Sequence, residues 1–376
     1  MNKIYLDHNA STPLLPEAWE EMRPHFLEHA ANPASSHHAG RQARRALEDA
    51  REKIAALLDA HPDEVVFTSG ATEANNLAVF GLAGEPPGRL IASDIEHPSV
   101  TEPLRQLEQR GFILDRLRVD PMGMVTPEAA IYAGAKLLCL MLANHETGTL
   151  QPVEALAKAI SGACPVHSDA AAAAGKLAIS FRKLGVDSLT ITAHKFNGPK
   201  GIGALLVRRG TSLRPMLLGG HQQQGRRPGT EPVPLAVGMA SALEWSVRRL
   251  EENTARVAQL RSGFLEGLRR TCPPVVVNGP ETGGLPHTLN VSFPGCRAEV
   301  LLMRCDLAGI ACSTGSACSS GSLLPSPVLK AMGVSEAALS SAMRFSFGAW
   351  QEVNEVIEAV SRITLIVKDL RQSIRR

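Results

Sequence analysis

The sequence lacks several features that would assign it to a particular class of protein. Its 39 Lys and Arg residues nearly balance its 37 Asp and Glu residues, and the net charge of +2 is spread without a long basic block. This pattern argues against a nucleic-acid partner. No apolar run is as long as a signal peptide core or a membrane span, so the sequence predicts a cytoplasmic protein without a membrane partner.

The cysteines argue against two further architectures. There are seven of them, an odd number, and they are scattered without a CxxC pair. This spacing disfavours both a disulfide framework and a zinc ribbon. A metal site built on Cys312 and Cys318 would lack a second Cys or His pair at ligand spacing, so no metal is expected. At least one cysteine therefore remains a candidate working thiol.

What the sequence does contain is the material for a large packed α/β protein. With 376 residues, 44% of them hydrophobic, it can form one large domain and a smaller companion. Short β-branched segments alternate with helical ones, which predicts a mostly parallel sheet with right-handed crossovers. We place the large domain at residues 14–250 and the small domain at residues 1–13 and 251–376. The alanines at 170–174 are expected to be helical, and a bent or broken helix is expected over residues 233–270.

Lys195 stands where such a sheet keeps its chemistry. Ser188–Thr192 has the composition of a strand, and the turn residues at 197–201 end it at once, so Lys195 lies at its C-terminal end. A desolvated lysine there can become a nucleophilic amine that holds an aldehyde as a Schiff base, and pyridoxal phosphate (PLP) is the obvious aldehyde. For a single lysine, however, a surface position beside a turn is the more common interpretation.

Other predicted strands also end in polar residues. His97, Asn144 and Asp169 each follow such a strand, at what would be the same edge of the sheet. Residues 69–72 lie between a strand and a helix, where unpaired backbone N–H groups form an anion site that suits a phosphate. A simple helix N-cap explains residues 69–72 equally well.

Two loops are too polar to be simple connectors. The glycine-rich segment at 218–230 is long, which suggests that it carries function. In the segment at 312–322, every residue between and after the two cysteines is Ser, Thr, Gly or Ala, and none of these can pack a core. We therefore expect this loop to be mobile and Cys318 to move between a pocket and the outside.

Together these motifs closely resemble the cysteine desulfurases of the NifS/IscS type, which are class V, aminotransferase-like PLP enzymes. The resemblance is collinear over nearly the whole chain, and the GSAC segment is similar to the group with a long mobile cysteine loop. It implies an α/β protein of PLP fold type I, with a seven-stranded, mostly parallel sheet and a smaller α+β domain. The motifs include YLDHNASTP (5–13), FTSGATEANNLA (67–78), EHPSV (96–100), ANHETG (143–148), HSDAA (167–171), TAHKFNGPKGIGAL (192–205), RRPGTE (226–231) and STGSACSSGS (313–322).

The resemblance implies catalytic roles for four residues. Lys195 would carry PLP as an internal aldimine, and His97 would stack on the cofactor ring and serve in proton transfer. Asp169 would pair with the pyridinium nitrogen and keep it protonated, which makes the ring an electron sink. Cys318 would attack the sulfur of the substrate L-cysteine and keep it as a persulfide, leaving L-alanine.

The resemblance also implies a set of binding residues. Asn144 would contact the cofactor and, with Arg344, the substrate carboxylate, which Arg344 would grip with a bidentate fork. Thr230 would reach the phosphate of a partner subunit, which implies a homodimer with shared sites. Residues at the helix start and beside the lysine would hold the phosphate, namely Ala71, Thr72, Thr192 and His194.

One position departs clearly from the family pattern. The family usually has a glutamine three residues after the aspartate, where it bonds the ring oxygen of PLP, and this chain has Ala172. A lost neutral donor is worth about 1 kcal/mol, and water partly replaces it, so we expect weaker electronic tuning without loss of function. His145, His221 and Gln223 are lesser departures.

The sequence therefore predicts a cysteine desulfurase that passes sulfur to an unidentified acceptor protein, for example for iron–sulfur cluster or thio-cofactor synthesis. Two alternatives remain open at this point. A selenocysteine lyase would share the same scaffold. A PLP-binding sulfur-relay scaffold with little turnover is suggested by Ala172, although the presence of Lys195, Asp169, His97, Arg344 and Cys318 argues against it.

Overall fold

The computed structural model describes residues 3–126, 134–160, 162–314 and 325–374. Strands and helices alternate through these residues, as expected for an α/β protein. The strands are β1 Ile4–Tyr5, β2 Val65–Thr68, β3 Gly88–Ser93, β4 Phe112–Leu117, β5 Ala135–Cys139, β6 Val166–Asp169, β7 Ser188–Thr192, β8 Gly203–Val207, β9 Val276–Val277, β10 Thr288–Ser292, β11 Ile310–Ala311 and β12 Ala342–Ser346. The α-helices are α1 Pro16–Leu27, α2 His38–Leu57, α3 Ala71–Leu82, α4 Pro98–Gln109, α5 Val153–Ala159, α6 Phe181–Leu184, α7 Val233–Arg248, α8 Leu250–Thr271, α9 Ala298–Leu307, α10 Pro327–Ala331, α11 Glu336–Leu339 and α12 Val353–Ile374.

The central sheet has seven strands in the order β2-β8-β7-β6-β5-β3-β4. Strand β8 is antiparallel to both of its neighbours, and the other pairings are parallel. The remaining six strands therefore run in one direction, and their carboxyl ends meet at one edge. The predicted seven-stranded, mostly parallel sheet is confirmed.

The central sheet is covered by helices on both faces. Every residue of β2, β7 and β8 is buried, so these strands show no alternation between apolar and polar positions. One hydrophobic cluster packs the sheet against α2, α5 and α7, and another packs it against α3 and α4. The sheet edge is thus a rigid platform for the side chains that follow each strand.

A second hydrophobic core is built from the two ends of the chain. Strand β1 pairs in parallel with β11, and β10 pairs antiparallel with both β12 and β9. Ile4 and Leu6 lie in one buried cluster with residues of α8, α9 and α12. The segment before α1 therefore packs with the C-terminal part of the chain. The division into domains at residues 14–250 stays a prediction.

The alanine run differs from its prediction. Residues 170–174 form successive turns and no helix, with the N–H groups of Ala173 and Ala174 both bonded to the carbonyl of Ala170 at 3.0 and 2.9 Å. Gly175 then takes a left-handed φ of +73°, which a continuing helix does not allow. Tertiary packing thus overrides the helix propensity of alanine. The long helix predicted nearby is broken between α7 and α8, as expected.

Replacing Gly175 with alanine is expected to destabilise the protein more than replacing Gly134. Both glycines have nearly the same φ, +73° and +74°, so alanine costs about 1–2 kcal/mol at either position. A Cβ atom at Gly175 would also lie 2.5 Å from Cβ of Phe196, whereas one at Gly134 would meet nothing within 4 Å. Chemical denaturation should give a further loss of about 1 kcal/mol or more for Gly175→Ala. Equal losses would show that the turn can shift freely.

Candidate active site

A cavity of about 530 Å³ opens at the carboxyl edge of the central sheet, where open α/β sheets bind their ligands. Its walls come from the segments that follow β2, β3, β5, β6 and β7, together with the N-terminal segment and β12. Most of the predicted site residues line it, namely Ala71, Thr72, His97, Asp169, Thr192, His194, Lys195 and Arg344, and so does Ala172.

Two predicted site residues in the described part of the chain do not line this cavity, and a third, Cys318, lies outside the described residues. Asn144 is fully buried, and its side-chain oxygen accepts from the N–H groups of Glu146 and Thr147 at 2.9 and 3.0 Å. The Asn144 amide thus shapes the turn after β5, and its contact with cofactor and substrate stays a prediction. Thr230 is exposed.

Lys195 is held at the end of β7 by a short helical turn, Ala193–Lys195. Its ammonium donates to the backbone carbonyl of Asn9, which lies in the N-terminal segment. Asn9 is itself fixed, because its side chain donates to the hydroxyl of Thr288 at 2.9 Å and accepts from Nε2 of His287 at 2.6 Å. The sequence did not identify Asn9, although it stands in the quoted motif at 5–13.

The Asp169 carboxylate at the end of β6 is oriented by two donors. One oxygen accepts from the side chain of Asn75 at 2.7 Å, and the other accepts from the N–H of Ala171 at 2.8 Å. Asn75 is fully buried on α3 and also bonds to Ser99 at 2.8 Å and to Nε2 of His167 at 3.0 Å. Asn75 was missed, because a buried asparagine inside a helix carries no local signal.

His97 faces the cavity as a neutral ring of fixed tautomer. It caps α4, and its Nδ1 accepts from the N–H of Ser99 at 3.1 Å, so the ring proton is on Nε2. Burial lowers the pKa of His97, with Asp169 opposing and Lys195 adding to this effect. The ring of His145 stands edge-on to it, with centroids 5.2 Å apart, and burial also lowers the pKa of His145, well below its usual value. Both imidazoles are therefore uncharged near neutral pH.

The end of the cavity at the start of α3 suits a phosphate. The first N–H groups of a helix have no partner within it, and Ala71 and Thr72 supply them here. Thr192, His194 and Lys200 line the cavity from the other side. Burial, and then the neighbouring lysines, lower the pKa of His194 to about 4, so Lys200 supplies the positive charge.

Arg344 brings a buried guanidinium into the cavity from β12. One of its terminal nitrogens pairs with Asp7 at 2.9 Å, and the other donates to the carbonyl of His145 at 3.3 Å. Its Nε is buried and has no hydrogen-bond partner among the described residues. The second oxygen of Asp7 accepts from the Ser313 hydroxyl at 2.9 Å, which ties the start of the predicted cysteine loop to this corner.

The groups around the cavity match a phosphorylated aldehyde with a basic ring nitrogen better than a metal ion. They include an amine, a carboxylate, a neutral imidazole and a helix start. Within the residues that the structure describes, no group of three or more His, Cys, Asp or Glu side chains could hold a metal. The residues thus fit PLP.

The chain belongs to the aminotransferase class-V family, whose profile matches residues 4–358. Its relatives include the cysteine desulfurase IscS of Dictyoglomus turgidum, which is 40% identical over 371 residues, covering 96% of this chain and 94% of that protein. The putative cysteine desulfurase IscS 1 of Bacillus subtilis is 39% identical over 378 residues, covering 98% of this chain and all of that protein. The family resemblance seen in the motifs is therefore confirmed.

Solved structures show the same fold. A NifS-like protein superposes with a TM-score of 0.91 at 34% identity, covering 98% of this chain and 100% of that chain. SspA in complex with cysteine has a TM-score of 0.81 at 35% identity, covering 93% of this chain and 100% of that chain. The predicted PLP fold type I architecture is in agreement with these neighbours.

Replacing Asn75 with alanine is expected to lower both the stability and the affinity for PLP. The change removes a donor from the buried Asp169 carboxylate and a partner from His167, and each unsatisfied buried group costs about 1–3 kcal/mol. Asn76→Ala is the matched control, because the Asn76 side chain donates to the carbonyl of Thr72 at the helix surface. Denaturation and PLP titration of the two variants should separate them. Unchanged PLP affinity in Asn75→Ala would contradict the orienting role.

Proposed function

We propose that this protein is a PLP-dependent cysteine desulfurase, which converts L-cysteine to L-alanine and keeps the sulfur as a persulfide on Cys318. The observation that carries the proposal is that Lys195, Asp169 and the start of α3 face one cavity at the carboxyl edge of the sheet. Relatives of similar length that bear the name cysteine desulfurase support it. In this transfer the substrate C–S bond breaks, an S–S bond forms, and no outside oxidant is needed.

Bound in this cavity, PLP would supply an electron sink for the negative charge that develops at the substrate Cα. The Lys195 amine would hold the aldehyde carbon, and the Asp169 carboxylate would keep a proton on the ring nitrogen. The α3 start would hold the phosphate together with Thr192, His194 and Lys200. Each of these groups belongs to the described cavity wall.

His97 is suited to stack on the cofactor ring and to move one proton. Its Nδ1 is held by the Ser99 N–H, so the exchangeable proton sits on Nε2. Because the ring is uncharged near neutral pH, Nε2 can donate its proton and take it back within a turnover. Ala172 offers no side-chain donor at the place where the family has glutamine, and water fits there in its stead.

Arg344 is the proposed site for the carboxylate of the amino-acid substrate. A buried guanidinium pairs strongly with a carboxylate, and its Nε is without a partner among the described residues. Asp7 fixes the orientation of the guanidinium through the bond at 2.9 Å. The substrate sulfur would then lie at the mouth of the cavity, where the segment after Ser313 begins.

The chemistry of the other cysteines favours Cys318 as the nucleophile. A hydrogen bond with Cys305, together with burial, raises the pKa of Cys312 well above its usual value. Burial likewise raises the pKa of Cys164 to about 11 and that of Cys139 well above the usual range. A thiol that stays protonated is a poor nucleophile, so these three are unsuited to accept sulfur.

A homodimer with shared sites remains part of the proposal. The loop that carries Thr230 is fixed by Arg227, which binds Glu73 on α3 with contacts of 2.7 and 3.1 Å, and by Gln223, which bonds the backbone of Phe67. Thr230 is exposed outside the cavity of its own chain, as expected for a residue that reaches a partner subunit. Sedimentation would test the dimer.

The surroundings in which the enzyme works are inferred more coarsely. No α-helix in the described ranges could cross a membrane. We place the enzyme in the cytoplasm, where a protein with a sulfur-acceptor site would receive the persulfide sulfur. Because the relatives reported above are named cysteine desulfurases, neither the selenocysteine lyase nor the inactive relay scaffold is carried forward.

Borohydride reduction of the holoenzyme is expected to attach PLP permanently to Lys195, because its amine is held at the end of β7 inside the cavity. Peptide mapping by mass spectrometry locates the modified residue. Lys200 lines the same cavity and serves as the internal control. Attachment at Lys200, or at any other lysine, would contradict the proposed site.

Replacing Cys318 with serine is expected to abolish alanine formation from cysteine while PLP and substrate still bind, because a hydroxyl is a far weaker nucleophile for sulfur. Cys312→Ser is the matched control and should keep nearly all of the activity, since Cys312 is buried beside Cys305. Alanine release and the absorption change on adding cysteine measure the two steps. The reverse result, with Cys312 essential, would move the nucleophile to Cys312.

A further inference from the structure

A second lysine lies behind Lys195, on the turn that follows β6. The ammonium of Lys176 donates to the backbone carbonyl of Lys195 at 2.5 Å. Lys176 does not line the main cavity but lines a small second cavity of about 50 Å³, and Lys195 lines both. The cofactor lysine thus stands between the main cavity and a second cation.

Lys176 reaches this place because of the unexpected turns after Asp169. Gly175 has a left-handed φ of +73°, and there is no room for a Cβ atom between it and Phe196. The N–H of Lys176 closes the last turn on the carbonyl of Ala173 at 3.0 Å. The same short segment therefore connects the Asp169 carboxylate to the support of Lys195.

The surroundings of Lys176 contain no negative charge to balance it. Its neighbours with titratable groups are Lys195 and His194 after β7, His8 in the N-terminal segment and His287 before β10. Burial lowers the pKa of His8 and of His194 to about 4 and that of His287 well below its usual value. No carboxylate in the described ranges forms an ion pair with Lys176.

The groups that face Lys195 from the cavity are also uncharged or distant in effect. His97 and His145 are neutral imidazoles on that side. The charge of Lys195 is therefore opposed mainly by the charge of Lys176. Burial, and then Lys195, lower the pKa of Lys176 to about 7, and a charge interaction between two sites acts equally on both.

We propose that Lys176 is a positioning residue for Lys195, which holds the Lys195 backbone carbonyl and places a positive charge that favours the uncharged, nucleophilic form of the Lys195 amine. The inference rests on the proposed role of Lys195 as the lysine that binds PLP. A purely structural lysine would explain the hydrogen bond, but its charge would be immaterial. The proposal therefore separates into a contact and a charge, which different substitutions remove.

The test compares Lys176→Gln, which keeps a donor without the charge, with Lys176→Arg, which keeps the charge. Lys183→Gln is the control, because Lys183 is an exposed lysine on α6. In each full-length holoenzyme the visible absorption of bound PLP is titrated with pH. In the same proteins freed of PLP, trace labelling of amines with acetic anhydride, followed by peptide mapping, gives the pH at which Lys195 is half reactive.

Lys176→Gln is expected to move both midpoints upward by about one pH unit, because the neighbouring positive charge is gone. Lys176→Arg and Lys183→Gln are expected to match the unmodified protein. Unchanged midpoints in Lys176→Gln, or equal shifts in the Gln and Arg variants, would overturn the role of the charge. If the Gln variant does not fold, the unmodified protein still decides, since a Lys195 that half-titrates at the same pH as Lys183 overturns the proposal.

The two proposals fail in distinguishable ways. If borohydride mapping places PLP on Lys195 while the Lys176→Gln midpoints are unchanged, the inference about Lys176 is wrong and the proposed function stands. If PLP maps to another lysine, the proposed function fails. The labelling of the PLP-free protein then still decides whether Lys176 controls the Lys195 amine.

Discussion

The common direction of β2, β3, β5, β6 and β7 is the constraint on which the cavity depends, because it carries the residues after all five strands to one edge of the sheet. Reversing one strand of about five residues would move its polar residue about 15 Å, to the opposite edge. Lys195 and Asp169 would then no longer face a common ligand. Burial of both faces of the sheet by helices holds this arrangement rigid.

The reactive side chains are held by partners that are not reactive themselves. Asn75 orients the carboxylate of Asp169 from α3, and the carbonyl of Asn9 holds the Lys195 amine. Asn9 reaches the cavity because β1 pairs with β11 in the second core, which also delivers Arg344 on β12. The cavity is therefore built by both hydrophobic cores, and movement between them would change the substrate corner first.

The charges of the cavity favour an anionic ligand. Its imidazoles are neutral because they are buried, so the positive charge comes from the lysines and from Arg344. A phosphate at the start of α3 and a carboxylate at Arg344 would each neutralise one end. Between these ends, the neighbouring charges of Lys176 and Lys195 set how readily the cofactor lysine loses its proton.

The sequence by itself determined the strands, their parallel arrangement and the position of Lys195 at a strand end, because β-branched composition and turn residues are local signals. It did not reveal the turns at residues 170–174, where the packing of Gly175 against Phe196 overrides the helix propensity of alanine. The partners of the site were also hidden. Asn75 meets Asp169 across 94 positions of the chain, and Lys195 meets Asn9 across 186. Such contacts form only when segments distant in sequence pack together, so tertiary structure alone decided them.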